Sequence, residues 1–405
     1  MPEFRFSLPA INSLYADQQL AYHPRGAMLV TGGPGSGKTV VTLFRFLRSV
    51  RDEKDLMLFT YHKTLILTIR GMLRARAEEL FGELDEKRIN EIVENKLSTF
   101  FQWHQDNIGI FRPEADTEEC ARNFQGYIGS RRRNNVKFDE LFFDEGQDLP
   151  RIVYNNVGEL TSNVSVGADR AQNFKGYYPE DQAEDIIISG IRRHIDSKRQ
   201  YLDGNHRNTR QIFELAKKFV PEDLRVQAMR SEGLRNGNEP EIRSGLNEAQ
   251  QLAEIKRIIE NFPTSNIGVL CHFGNEVETV KDYLIADGYS CAENANEEKA
   301  FSYYWHDMNK IDEAVLKKKF RTPFITTYES CKGLEFDIVI MPFFQMSNRA
   351  LTAHNRDGRT WATRSHYYVA VTRARSDIYI LYSFKPASMS FYNEAEKTDK
   401  FKGLL

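Results

Sequence analysis

The chain has 405 residues and a formal net charge of −2, with 41% hydrophobic and 28% charged residues. That length suits two or three domains of the usual ~100–200 residues, and the composition is that of an ordinary globular protein rather than a disordered or fibrous one. The near-zero charge does not announce a nucleic-acid binder, so any basic groove has to be local.

Cys120, Cys271, Cys291 and Cys331 lie far apart with no C-x-x-C pair, which excludes a zinc or disulfide framework and reads as reduced thiols. The opening MPEFRFSLPA lacks the apolar run of a secretion signal, and no stretch approaches the 18 or more apolar residues of a membrane span. A cytoplasmic protein without membrane contact is expected.

There is no internal repeat and no low-complexity tract. Short runs rich in Val, Ile and Phe alternate with helical patterns, the signature of parallel α/β sheets. Strands are predicted at 27–31, 56–61, 140–143 and 164–166, then at 267–271, 324–327, 338–341 and 378–382. Two sheets explain this spacing better than one. The expected domains are 1–198, with a small helical insertion at about 66–137, and 199–405, in which the charged stretch 294–321 reads as a short insertion or lid.

The sharpest local signal is Gly32-Gly33-Pro34-Gly35-Ser36-Gly37-Lys38-Thr39, which fits G-x-x-x-x-G-K-[ST] between a predicted strand and a predicted helix. Glycines let the backbone N–H groups turn inward around phosphate oxygens, and the helix N-terminus adds a favourable dipole. Lys38 would meet the β- and γ-phosphates, and the Thr39 hydroxyl would bind Mg²⁺. ATP or GTP binding follows. Farther on, the apolar strand Leu141-Phe142-Phe143 runs into Asp144 and Glu145, where Asp144 would hold the metal and Glu145 would polarise the attacking water. Strand ends of that kind are often merely solvated, but Gly146-Gln147-Asp148 completes D-E-x-Q-D.

At this point the chain resembles the UvrD/Rep family of superfamily 1 helicases, and further matches follow in that family's order. Leu14, Gln18 and Ala21 stand at the spacing of the Q motif, and Thr60–Leu65 is similar to motif Ia. Thr99-Phe100-Phe101-Gln102-Trp103 resembles a backbone-contacting T-F-H-S segment, and Gly167–Gln172 is similar to motif III. Asn205-His206-Arg207 resembles motif IV, Thr327–Asp337 motif V, and Tyr368–Ala374 motif VI.

The resemblance implies two RecA-like P-loop domains with parallel sheets, binding ATP and Mg²⁺ at their interface. It gives Gln18 the adenine edge, His206 a stacking role, Gln172 a γ-phosphate sensor and Glu335 a bond to the ribose, beside Gly333. Arg207 and Arg373 would neutralise charge developing on the γ-phosphate, a task suited to a permanently charged planar cation. It also implies single-stranded DNA as partner, gripped through Tyr61, Thr99, Trp103, Phe174, Tyr177 and Thr326, with RNA as the weaker alternative. Aromatics at these positions would serve a core equally well. Arg131-Arg132-Arg133 would track phosphates or form a solvated loop.

The chain departs from the family in three substitutions. His206 replaces a tyrosine, Glu329 a histidine and Ala168 a glycine, and none of these removes a catalytic group. The spacing between motifs leaves no room for the family's large second-lobe insertion. The expectation is therefore a DNA-stimulated ATPase translocating 3′ to 5′ on single strands. The alternative is a motor subunit whose protein partner supplies strand separation or nuclease activity.

Overall fold

The structure, a computed structural model, describes residues 3–82, 86–109, 118–133, 137–173, 177–179, 182–220, 233–306, 308, 310–354 and 360–392. Six strands build the first sheet: β1 (Ala27–Gly32), β2 (Leu56–Thr60), β3 (Leu97–Thr99), β4 (Glu140–Phe143), β5 (Val164–Ala168) and β6 (Ser197–Leu202), in the order β3-β2-β4-β5-β1-β6. Six more build the second: β7 (Glu241–Arg243), β8 (Ile267–Cys271), β9 (Ser302–Tyr304), β10 (Phe324–Thr327), β11 (Phe336–Met341) and β12 (Ala374–Leu381), in the order β7-β12-β11-β8-β10-β9. Every pairing between these strands is parallel. Helices cover both faces, so β1, β4, β5 and β8 are buried at every residue and are largely apolar, with Glu140 and Ser165 among the buried polar exceptions. Both lobes are RecA-like.

The eight predicted strands all form, and the four additional ones are the sheet edges β3, β6, β7 and β9. An edge strand is short or carries polar residues because it pairs on one side only. β6 reads Ser-Lys-Arg-Gln-Tyr-Leu, without an apolar run.

These edges correct the expected boundaries. The division at 198/199 falls inside β6, which pairs with β1 along its whole length, so the first sheet continues through Leu202. The stretch 294–321 is no lid: it supplies β9, paired to β10, and the helix Lys310–Lys318. The described residues of the 66–137 segment are mostly helical, but they also place β3 beside β2.

The N-terminal residues belong to the second lobe despite coming first in the chain. Phe4 donates its backbone N–H to Phe320 O (3.0 Å), and its ring packs edge-on against Phe320 and Phe336. Arg5 pairs with Asp337 at 2.7 Å. Phe6 lies on Gly71 so closely that a Cβ there would come within 1.9 Å of its ring. The chain then enters the first lobe's core through Leu8 and Leu14.

A buried arginine positions the segment that precedes the P-loop. Arg45 is fully buried and donates to Ala21 O (2.9 Å), Pro24 O (2.5 Å), Gly26 O (2.6 Å) and Ser165 Oγ (2.8 Å). Burial lowers its pKa to about 10 against the raising effect of Glu140. The hydrogen bonds satisfy a charge that would otherwise be costly to bury, and they fasten the end of the helix Ala16–Tyr22 to the helix Lys38–Arg51. Among the described residues, no helix is long and apolar enough to cross a membrane.

Because Phe4 is anchored in the second lobe's core, Phe4→Ala should cost about 3 kcal/mol. Urea unfolding followed by tryptophan fluorescence would read this as an earlier transition, and an unchanged midpoint would mean that the N-terminal residues do not hold the lobe.

Candidate nucleotide site between the lobes

The first lobe's loop Gly32–Thr39 joins β1 to the helix Lys38–Arg51. Two of its glycines have left-handed backbones, Gly35 at φ 68° and Gly37 at φ 92°. Both also meet neighbours too close for a side chain. A Cβ on Gly37 would come within 2.3 Å of Gln18 Nε2, and one on Gly35 within 2.5 Å of Asn205 Oδ1. Only glycine permits these conformations at this proximity.

Gln18 donates from Nε2 to Ser36 O (2.8 Å) and accepts from the Tyr15 backbone N–H (3.1 Å). Lys38 Nζ donates to Gly32 O and Gly33 O, each at 2.8 Å, and lies 3.4 Å from Asp169.

The Thr39 hydroxyl donates to Asp144 Oδ2 at 2.8 Å, so a hydroxyl and a carboxylate converge at the mouth of the loop. This oxygen pair suits Mg²⁺, which is commonly held by one or two protein oxygens and completed by substrate phosphates and water. Among the described residues there is no cluster of three or more His, Cys, Asp or Glu that could hold a metal ion.

The two adjacent carboxylates are driven in opposite directions. Burial and the neighbouring Glu145 push Asp144 up to about 7, against the hydrogen bond from Thr39 and the charge of Lys38. Burial would also raise Glu145, but Lys332, Lys38 and Arg373, with a hydrogen bond from Gln147, outweigh it and hold Glu145 well below the usual range. Glu145 turns the chain in a left-handed conformation (φ 55°), and Gln147 Nε2 fixes its carboxylate at 2.6 Å.

The second lobe supplies the far wall. Arg373 is buried, donating to Val369 O (3.2 Å) and to Gln172 Oε1 (3.3 Å) across the junction. Gln172 Nε2 in turn donates to Asp169 Oδ2 at 2.7 Å. Arg207 pairs with Glu335 and donates to Thr372 O at 3.3 Å. The cleft between these walls holds about 250 Å³ and is lined by Gln18, Lys38, Thr39, Glu145, Gln172, His206, Arg207, Gly333, Glu335 and Arg373. Gly333 also lets its loop approach Leu65 of the first lobe, where a Cβ would sit 2.6 Å from Leu65 Cδ1.

Two groups here had no assigned role in the sequence. Tyr15 stacks flat on His206, with centroids 3.6 Å apart and planes inclined by 3°. Lys332 is fully buried and donates to Asp148 Oδ2 (2.6 Å) and Gln172 O (2.9 Å), and it lies 3.5 Å from Glu145 Oε2. A lysine amid Ser-Cys and Gly-Leu was visible in the motif V stretch; its three partners, at least 160 residues away in sequence, were not.

The expected strand-contact residues are not gathered in the same way. Trp103 is buried against Phe59 and Phe100. Thr99 is buried and caps the helix Phe100–Asn107 by accepting from the Gln102 N–H. Thr326 is fully buried, its hydroxyl donating to Tyr304 O at 2.7 Å. As strand contacts these three are corrected: their faces are spent on the fold. Tyr61 is half-buried with its ring edge-on to Phe101, and Tyr177 is likewise half-buried. Phe174 and the side chains of Arg131, Arg132 and Arg133 lie outside the described residues.

Comparison with known families and with curated proteins gives no match. Among solved structures, the chain is similar to the C-terminal domain of a possible DNA helicase from Lactobacillus plantarum WCFS1. The identity is 16% and the TM-score 0.31, over 47% of this chain and 96% of that one. So low a TM-score carries nothing over to the chemistry of the site.

Metal binding needs the ionised Asp144 carboxylate, so protons should compete with Mg²⁺. With Asp144 pushed up to about 7, the Mg²⁺ concentration needed for half-maximal nucleotide binding should rise as pH falls through that value. Asp144→Asn should weaken Mg²⁺ dependence and flatten its pH profile; a pH-independent wild type would defeat this assignment. Separately, Lys332→Ala should destabilise the chain by about 3 kcal/mol in chemical denaturation, because it strands buried carboxylates. Asp148→Asn in the same chain should recover part of the loss.

Proposed function

We propose that this chain is a nucleoside-triphosphate-driven motor on single-stranded nucleic acid, a compact superfamily 1 helicase or translocase of the UvrD/Rep kind. The observation that carries the reading is the contact between Gln172 of the first lobe and Arg373 of the second, at 3.3 Å, in the cleft that Lys38 and Thr39 also line. A γ-phosphate bound there would be sensed by both lobes at once, so its hydrolysis would change what holds them together.

In this reading the P-loop N–H groups and Lys38 bind the phosphates, and Thr39 with Asp144 holds Mg²⁺. The metal, when bound, neutralises charge on the transferred phosphoryl group. Glu145, kept ionised by Lys332, Lys38 and Arg373, orients and polarises the attacking water. Arg373 and Arg207 stabilise the charge that develops, in a buried setting where such interactions are stronger than in water. The base lies toward Gln18, with Tyr15 and His206 as the ring system beside it. Movement from 3′ to 5′ on DNA is the polarity the resemblance implies.

A second reading has one observation in its favour. The described residues of the 294–321 stretch are built into the second sheet through β9, where the family places a separate insertion. The chain would then be the motor of a larger assembly whose partner separates strands or cuts them.

Steady-state ATP turnover with single-stranded DNA, duplex DNA, RNA or no nucleic acid tests the proposal. Single strands should raise the rate strongly, and Lys38→Ala should lower it by about a hundredfold or more. A low rate unmoved by every nucleic acid would sink the free-standing motor and favour the partnered one.

A further inference from the structure

A motor that steps along a strand has to hold it, and the buried Trp103, Thr99 and Thr326 cannot do so. The largest exposed aromatic ring among the described residues is Trp361, 48% exposed, on the second lobe. We propose that Trp361, Phe273 and Trp305, with the Arg349 guanidinium, form a base-stacking platform for single-stranded nucleic acid. The inference rests on the motor reading above and assigns it a strand-binding surface.

The placement follows from the sheet. Phe273 comes just after β8 and Trp305 directly after β9, so both stand at the C-terminal ends of the strands that flank β10. The chain leaving β10 is the loop that brings Gly333 to the wall of the cleft and Lys332 to Asp148 and Gln172 of the first lobe. A strand lying on these rings would therefore be one loop away from the groups that sense the nucleotide.

Trp361 and Phe273 form one ring pair, and Trp305 stands beside it on Gly274 with its own ring stacked on Tyr303 at 5.7 Å. Trp361 stands edge-on to Phe273, with centroids 5.5 Å apart and planes at 80°. The Arg349 guanidinium lies 5.9 Å from the centre of the Phe273 ring and is itself exposed. Trp305 rests on the backbone of Gly274, where a Cβ would come within 2.9 Å of its indole.

The indole of Trp361 is also held in place from its backbone. Trp361 N–H donates to Ala353 O (3.3 Å), Ala362 N–H donates to Ala350 O (2.9 Å), and His354 bridges Thr360. A fixed ring face beside a guanidinium suits a planar base joined to a phosphate: the ring stacks on the base without reading its identity, and the cation meets the backbone. An apolar protein surface would leave the exposed Arg349 without a counter-charge.

The test is anisotropy titration of labelled oligo(dT) and oligo(U) with the full chain, alongside ATP turnover without nucleic acid. Trp361→Ala should weaken binding about tenfold, Trp361→Phe should retain most of it, and turnover without nucleic acid should be unchanged. Arg349→Ala should lower the salt dependence of binding by about one phosphate contact. The two oligonucleotides decide between DNA and RNA as the strand.

Wild-type affinity in Trp361→Ala would overturn the platform and leave the motor reading standing. A wild type that binds neither oligonucleotide would overturn both. If Trp361→Ala lowers thermal stability, Trp361→Leu, which keeps apolar packing but removes the ring, decides instead: affinity equal to wild type overturns the proposal. Unchanged oligonucleotide binding together with loss of a co-purifying protein would reassign the face to that protein.

Discussion

A lysine ammonium with no exposure sits where the two lobes meet, and acceptors of the first lobe are gathered around it. Lys332 comes from the loop after β10, while Asp148, Glu145 and the carbonyl of Gln172 come from the first lobe. Burying that charge is tolerable only because acceptors surround it. The same condition ties the lobes together, since moving them apart strands a cation on one side and carboxylates on the other. The Lys332 charge also keeps the Glu145 carboxylate ionised despite its burial. The ionisation of Glu145 therefore depends in part on a second-lobe charge being in place.

The neighbouring residue shows how local this control is. Asp144 is also buried and is adjacent in sequence, yet it is pushed upward, because burial and the Glu145 carboxylate outweigh the hydrogen bond from Thr39 and the charge of Lys38. Two carboxylates whose environments drive them apart are suited to different tasks. Arg373 and Arg207 complete the arrangement from the second lobe, each fixed by carbonyl oxygens of its own surroundings. Their forks therefore need little reorganisation to meet a developing charge.

The lobes are also joined away from the cleft. Phe4 and Arg5 are anchored on the second lobe, Phe6 bridges to Gly71 of the first, and Leu8 enters the first core. Lys63 pairs with Glu313, and the Thr64 hydroxyl donates to Ser330 O at 3.0 Å. Several weak tethers around one buried ion pair leave a junction that is held but not fused.

The sequence by itself determined whatever is encoded in neighbouring residues. The P-loop was legible because its glycine spacing is a backbone requirement, and the eight central strands because burial on both faces demands continuous apolar runs. The DEGQD stretch and the two arginines could be named from motif order. Tertiary structure alone decided the rest, for physical reasons visible at particular residues. The edge strands β3, β6, β7 and β9 owe their existence to pairing on one side with distant partners, so their short or polar sequences carry little signal. Trp103 and Thr326 look like contacts in one dimension and are buried in three, because exposure depends on what packs above a residue and not on its neighbours in the chain. Lys332 and Tyr15 acquired roles only when folding brought Asp148 and His206 to them. Electrostatic pairing and ring stacking act across space, and a linear pattern records the residues involved without recording which of them meet.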